Sequence, residues 1–543
     1  MLRSIVKKTP LLICGAMLLG LLGGCGGGTD PTTKESPSEA KEKQASGGKV
    51  VTVAIASDNG ISTMDATYAM TDILHYELIY EPLVVFGKDG KIEPCLAESW
   101  DFSEDGKEYT FHLRKGVKFS DGTDFNADNV IFNTDRWAEN SNTASTAVCK
   151  GLQTVEKIDD YTVKFVFDKS FYPYLTELSY PRPCRMMGKD SIDANGKFVK
   201  PIGTGMWMIE SYQDGKETVL VPNPYYWGEK PKIDKLIIKV IPDSEARVMA
   251  LQSGEIDFCA VPIPTESMSV IENDSKLSLV SRKGTLGYHM IFNYDVPALQ
   301  ELKIRQAINC AIDKNSIVDN ILDGNGTPAA GLFPETVPYV NSKNNLGYSY
   351  DIEKAKTLLS EAGCKDSDGD GILEYKGKPL SFKFVFQTDQ YPEWKNVCEY
   401  IKAELQDVGI DIKLELQPSA QYYDTLWTSR DFDMVMYRTY SDSWNPHGFL
   451  RGMYCKASDE AVRVAWNSDE LSEMIDSVLQ EVDETARQEK YSDIFEYIYE
   501  NAIAAPIYYP NGFYAYNKSK ITGVEFAVTE YELIKWAKID TVN

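Results

Sequence analysis

The chain has 543 residues, 43% of them hydrophobic, with 81 acidic against 56 basic side chains and a formal charge of −25. That length supplies ample core for two or more structural lobes, and the acidity excludes a nucleic-acid partner and a surface that hugs anionic lipid. No G-x-S-x-G, H-E-x-x-H or P-loop pattern occurs, and the four histidines (His75, His112, His289, His447) stand far apart. A Ser–His–Asp triad or a His-rich metal site therefore has few candidates, and no enzymatic activity is expected.

At the N-terminus, Arg3, Lys7 and Lys8 precede the apolar run "LLICGAMLLGLLGG", which ends at Cys25. A basic patch before a short apolar core predicts a secretory signal over 1–24, too short for a lasting membrane span. The run closes on "LGGC", which resembles a bacterial lipobox. That pattern implies lipidation of Cys25 as the first residue of the mature chain, with several acyl chains giving a stable anchor. Loss of three basic and no acidic residues would take the mature charge from −25 to −28. The stretch after Cys25, "GGGTDPTTKESPSEAKEKQASGGK", has no aromatic residue and almost nothing apolar. It cannot bury enough surface to fold, so 25–49 is expected to be a tether reaching about 25–30 Å.

The folded body begins near Val50 with "VVTVAIAS". "YTFHLRKGVKFSDG" alternates apolar and polar residues and ends in a turn, as a hairpin strand does. "FNADNVIFNTDRWAE" has an Asn start and apolar spacing of three and four, which predicts a helix. "YTVKFVFD" predicts a strand, and "KLIIKVIPDSEARVMALQSGEID" a strand, a turn and a helix closed by Gly254. "LKIRQAINCAIDKNSIVDNIL" predicts one amphipathic helix. "EWKNVCEYIKAELQDVGIDIKLELQ" predicts a helix, a Gly stop and a strand. The body is α/β, without strict βαβ regularity and without repeats.

Between the last two segments lies "KDSDGDGILEYKGKPL", where Asp366, Asp368, Asp370 and Gly371 match the opening of an EF-hand loop. Alternating carboxylates can converge on a hard cation, but the twelfth loop position, which needs a bidentate Glu, is Gly377. A polar turn is the first expectation and a single structural calcium on Asp366, Asp368 and Asp370 the alternative. No cofactor is otherwise required. Eight cysteines remain once Cys14 leaves with the signal and Cys25 is lipidated; none shows C-x-x-C spacing, and most are expected to be small buried hydrophobes. Export permits a bridge or two without demanding them.

Aromatic residues crowd into loops: "NPYYWGEKP", "RTYSDSWNPHGFL", "IYYPNGFYAYN". Rings in loops of an exported protein suggest a ligand cleft. Together, "IYEPLVVFGKDGKIEPCLAESWDFSEDGKEYTFHLRKGVKFSDG", "PIGTGMWMI", "NPYYWGEKPKIDKLIIKVIPD" and "ALQSGEID" resemble the peptide/nickel class of ABC-importer solute-binding proteins, solute-binding family 5. The resemblance covers nearly the whole chain after the tether, in the right order. It implies a two-lobed periplasmic-binding-protein-like fold of type II, class C. Lobe I would comprise 50–85, 200–297 and 508–543, with an extra subdomain, 86–199, inserted; lobe II would be 298–507. Ligand would bind between lobes that close by hinge motion. The same resemblance implies a monomer held on the extracytoplasmic face of a Gram-positive-type membrane by its lipid, working with permease and ATPase subunits.

Two motifs are similar to the nickel- and metallophore-binding branch. In "ELSYPRPCRMM", Arg182 is the arginine that contacts carboxylates of a metal chelate there; a guanidinium fork suits that role, and Pro181 and Pro183 hold the backbone extended. "MYRTYSDSWNPHGFL" places Tyr440 and Trp444 at cleft aromatics, with His447 as a further candidate and Tyr68 covering an apolar face. The branch's nickel-contacting His falls near Ser458, however, and a second cleft aromatic near Ser145. Asp442 falls where peptide-binding relatives carry the acid that pairs with an α-amine. Arg182 and Asp442 together would suit a ligand with a carboxylate and an amine: an amino-acid-derived metal chelate, or a short peptide. A peptide-pheromone sensor would share the cleft; an extracytoplasmic hydrolase would need a nucleophile–base pair.

Overall fold

The computed structural model describes residues 48–542 except 59, 68–72, 88–89, 140–145, 181–183, 441–444, 457–462 and 528–532. The fold is mixed α/β. Its backbone is one long sheet of twelve described strands. At one end, Val50–Ile55 lies parallel between Lys235–Val240 and Phe258–Cys259, and Glu217–Pro222 and Trp207–Gln213 extend it antiparallel. At the other end, Ser381–Phe386 pairs parallel with Asp411–Leu416 and Met434–Arg438, and Tyr288–Phe292 continues the sheet.

One strand, Ala504–Asn517, serves both ends. Its first half pairs with Tyr288–Phe292 and its second half with Leu277–Lys283, both antiparallel. The chain thus passes from one end of the sheet to the other at 284–287 and returns at 508–511. These two adjacent crossings are the geometry of a hinge. Gly287 sits in the first crossing, where a Cβ would lie 2.1 Å from the Leu332 carbonyl oxygen, so no other residue fits there.

A separate antiparallel sheet of four strands, in the order Ala97–Phe102, Glu108–Leu113, Thr162–Phe167, Leu152–Asp159, forms a distinct layer. The alternation read from the sequence is carried out here: Tyr109, Phe111 and Leu113 on one strand and Val163, Phe165 and Phe167 on the next all point inward. Phe111 and Phe165 meet edge to face at 5.1 Å. Helix Ala127–Glu139 covers this sheet. Asn126 starts it by accepting the Asp128 N–H at 3.0 Å, while Asn129 accepts the Asn126 N–H at 3.0 Å, a reciprocal cap.

Helix Ser244–Ser253 starts at Asp243, whose carboxylate accepts the Ala246 N–H at 2.7 Å, and stops at left-handed Gly254, φ 75°. Helix Trp394–Gln406 and strand Asp411–Leu416 are joined through Gly409, φ 83°. The expected single helix over 302–322 is corrected. Leu302–Ala311 ends at extended Ile312, and Asp313 caps a new start by accepting the Asn315 and Ser316 N–H groups, each at 3.1 Å. An Asp side chain that can bond nearby backbone outcompetes helix continuation despite the apolar periodicity.

The "PIGTG" motif acquires a steric reason. A Cβ on Gly203 would lie 1.9 Å from the Ile79 carbonyl oxygen, and one on Gly205 2.6 Å from the Ile79 carbonyl carbon. Only bare backbone lets this loop press on the "IYEPL" segment, where Gly205 donates its N–H to Ile79 O at 2.9 Å. Of the eight described cysteines six are buried; Cys149 and Cys455 are half-buried.

Candidate functional site

The four-stranded layer meets the far end of the main sheet along a seam. One side is the stretch 170–180, including helix Tyr174–Leu178; the other is helix His447–Tyr454 with helices Asp469–Leu479 and Glu484–Glu500. Tyr172 donates its N–H to Leu479 O at 3.0 Å, and Ser170 Oγ donates to Gln480 O at 3.2 Å. The hydroxyls of Tyr172 and Tyr491 bond at 2.6 Å. Burial pushes both well above the ordinary tyrosine range, so both remain protonated. Arg487 lies 4.1 Å over the Tyr172 ring and donates from Nε to Tyr339 OH at 2.9 Å, and Tyr339 stacks on Tyr491 at 4.7 Å.

Deeper in the seam Asn445 donates from Nδ2 to Thr176 Oγ1 at 3.1 Å. Glu177 accepts the Val148 N–H at 2.7 Å through Oε2 and turns Oε1 toward His447 Nε2 at 3.8 Å. Both side chains are buried, at 7% and 3% exposure, so this is a desolvated acid–imidazole contact rather than a surface pair. Tyr180 OH lies 3.5 Å from the same His447 nitrogen. Phe171 and Tyr172 set their rings edge-on to the imidazole, each at 6.3 Å.

Of the candidate ligand residues, Tyr440 and His447 are described. Tyr68, Arg182, Asp442, Trp444 and the lipidation candidate Cys25 lie outside the described residues. His447 is a seam residue, enclosed by Glu177, Tyr180 and two rings. Tyr440 is half-buried against Phe449, with ring centroids 5.4 Å apart, and its hydroxyl reaches Met453 Sδ at 3.8 Å. The residues that flank the other candidates do come together: Tyr180, two before Arg182, meets His447, three after Trp444.

The stretch after Arg182 is firmly seated. Arg185 donates to Tyr80 O at 3.1 Å, and Met186 donates its N–H to Glu81 O at 3.0 Å. Glu81 itself is buried and accepts the Trp227 indole N–H at 2.8 Å, while Arg114 lies 4.3 Å over the Trp227 ring. Burial raises the Glu81 carboxyl to about 7, opposed by the Trp227 bond and by Arg185 and Arg114. Sequence reasoning missed Glu81, Glu177 and Arg487. Glu81 sat in plain view inside "IYEPL", but nothing local distinguishes a buried acid from the many exposed ones.

In the acidic loop, the side chains that converge within 4.8 Å are Asp366, Asp368 and Glu374; Asp370 is not in that group. Instead Asp370 accepts the Ile372 N–H at 2.8 Å, and Asp366 accepts the N–H groups of Gly369 at 2.7 Å and Gly371 at 3.0 Å. These carboxylates act as turn caps. Glu374 occupies the ninth loop position, often filled through water in EF-hands, and that register was the available signal for it.

Residues 91–460 match the model for bacterial extracellular solute-binding proteins, family 5 middle region. The chain belongs to family 5. Its members are solute-binding receptors and not enzymes, and their two-lobed α/β fold is the fold of this chain. The chain is 32% identical over 456 residues to the nickel-binding periplasmic protein of Escherichia coli (strain K12), covering 81% of this chain and 86% of that protein. It is 30% identical over 444 residues to the dipeptide-binding protein of the same organism, covering 76% and 80%. The crystal structure of NikA from Brucella suis in complex with Fe(III)-EDTA superposes with a TM-score of 0.80 at 30% identity, covering 91% of this chain and all of that one (100%). Among the described residues of this family 5 chain, no helix is long and apolar enough to cross a membrane.

Proposed function

We propose that this protein is the extracytoplasmic receptor of an ABC importer, capturing a small ligand that carries both carboxylate and amine groups, foremost a chelate of nickel or another metal. It closes on that ligand between its two lobes and hands it unchanged to the permease. The observation that carries this reading is the family match together with similarity over 81% of the chain to a nickel-binding relative. The P-R-P-C-R stretch supports it, because shortly after Arg182 the backbone is held at Arg185, bridged to Pro82, and at Met186, whose N–H bonds Glu81 O at 3.0 Å. A preset backbone limits where a guanidinium can point, and bidentate carboxylate recognition needs that restriction. Lipid attachment through Cys25 and the tether of 25–49 would hold the receptor beside its permease.

A peptide ligand is the second reading, favoured by Asp442 and by the 30% identity to a dipeptide-binding relative. Native mass spectrometry of protein purified from its own host, with metal analysis of the same sample, separates the two. A bound chelate with stoichiometric metal supports the first; a metal-free peptide overturns it in favour of the second. Turnover of the cargo on long incubation would sink both. An Asp442→Ala variant that keeps full affinity for every amine-bearing ligand would remove the amine half of the recognition.

A further inference from the structure

We propose that Glu177, Tyr180 and His447 form a binding site for a divalent transition-metal ion, which clasps the two sides of the seam together. Glu177 lies in helix Tyr174–Leu178 and Tyr180 just follows it, on the side of the four-stranded layer, whereas His447 opens helix His447–Tyr454 on the other side. Their polar atoms converge on one nitrogen of the imidazole. Glu177 Oε1 lies 3.8 Å from His447 Nε2, and Tyr180 OH lies 3.5 Å from the same atom. Both separations are long for hydrogen bonds, which hold heavy atoms about 2.7–3.2 Å apart. They are the separations of atoms that share a metal. Two ligands, each about 2.0–2.2 Å from a tetrahedral ion, lie about 3.3–3.6 Å apart, and opening the angle to about 130° takes that to about 3.8 Å. A carboxylate oxygen, an imidazole nitrogen and a phenol oxygen suit zinc, nickel or copper rather than calcium or magnesium, which take oxygen ligands.

The ligands are also held as metal ligands are. Glu177 accepts the Val148 N–H at 2.7 Å through Oε2, and this second bond aims Oε1 at the imidazole. The rings of Phe171 and Tyr172, edge-on to His447, fix the imidazole plane. With both side chains buried, the acid–imidazole contact alone recovers little of the free energy lost on desolvating the carboxylate. A dication neutralises that carboxylate and binds the uncharged imidazole at the same time. Two further buried polar atoms of this segment, His447 Nδ1 and Asn445 Oδ1, have no hydrogen-bond partner among the described residues. Such atoms mark places where an ion or an ordered water is taken up. Three protein ligands leave the fourth position of a tetrahedral ion to water. Because Glu177 and Tyr180 stand on one side of the seam and His447 on the other, the full ligand set exists only when the sides meet. Binding of the ion therefore favours the closed seam. The site is independent of the cargo and stands equally for a chelate or a peptide receptor.

The test uses the full chain without an affinity tag, dialysed against EDTA and titrated with zinc chloride in a calorimeter. A single ion is expected at the seam. His447→Gln and Glu177→Gln should each weaken its binding by more than about 100-fold, beyond the loss that follows removal of a group that merely orients a ligand. Tyr180→Phe should weaken it less, and Asp366→Ala, in the acidic loop, should leave it unchanged. Hydrogen exchange over 170–180 should slow when zinc is added to the parent and stay unchanged in His447→Gln. No uptake of zinc, uptake that survives in His447→Gln or in Glu177→Gln, or uptake abolished by Asp366→Ala would each overturn the proposal. Where a variant fails to fold, anomalous diffraction from zinc-soaked crystals of the parent decides the matter. An ion about 2.0–2.2 Å from His447 Nε2 supports the site, and zinc found only elsewhere overturns it. Since zinc alone is the probe, failure here leaves the reading of the cargo untouched.

Discussion

Replacing Tyr172 with Phe removes one oxygen atom from the seam and leaves the ring, with Arg487 4.1 Å above it, in place. What changes is the 2.6 Å bond to Tyr491, a side chain with 0% exposure that then holds a hydroxyl without a partner. An orphaned buried hydroxyl costs about 1–3 kcal/mol, and about 1.4 kcal/mol is a factor of ten. If the two sides of the seam separate on ligand release, the constant for bringing them together falls about 5–150-fold, and the apparent Kd for cargo rises by as much. Calorimetric titration with cargo recovered from the host reads this directly. The double variant Tyr172→Phe/Tyr491→Phe removes the orphan along with the bond, so its affinity should return to within a few-fold of the parent. A Tyr172→Phe protein that melts earlier yet binds with parental affinity would show that the seam does not open, and the hinge reasoning would be wrong.

Gly203→Ala forces a Cβ to within 1.9 Å of the Ile79 carbonyl oxygen, and backbone cannot swing aside as a side chain can. A loss of about 3 kcal/mol or more is expected, seen as a lowered melting temperature or insoluble protein; a parental melting curve would contradict it. Glu81 keeps its proton up to about 7 when folded and releases it near 4.5 when unfolded. The folded state binds more protons between those values, so the contribution of Glu81 to stability falls as pH rises across that window, by about 3 kcal/mol in all. Glu81→Gln should therefore gain on the parent in urea unfolding from pH 4.5 to 7 and hold a constant lead above it; a pH-independent difference would refute this. Asp366→Ala removes the acceptor for two turn N–H groups and should cost about 1 kcal/mol with or without calcium. A calcium-induced rise in melting temperature that this variant abolishes would instead make the loop a cation site.

Local signals were legible wherever a single element's chemistry decided the outcome. Gly254 closes its helix as expected, and the alternation of Tyr109, Phe111 and Leu113 fixes which face of its strand is buried. The amphipathic run 302–322 misled because periodicity reports burial, and a buried face continues across the break that Asp313 imposes. Asp370 was included with Asp366 and Asp368 by spacing alone, whereas the turn sends its carboxylate to Ile372 and brings Glu374 in.

The chain by itself determined the family, the α/β class and the direction of charge. Those properties are written in runs of neighbouring residues: apolar periods, caps, glycines that permit close approach, and an excess of acid over base. Only the tertiary structure decided that one strand, Ala504–Asn517, joins both ends of the sheet, that Glu177 faces His447, and that Tyr172 meets Tyr491 319 positions away. The physical reason is that such contacts depend on where distant backbones are brought by packing, and an acid or a tyrosine has the same local signature whether it ends in water or against its partner.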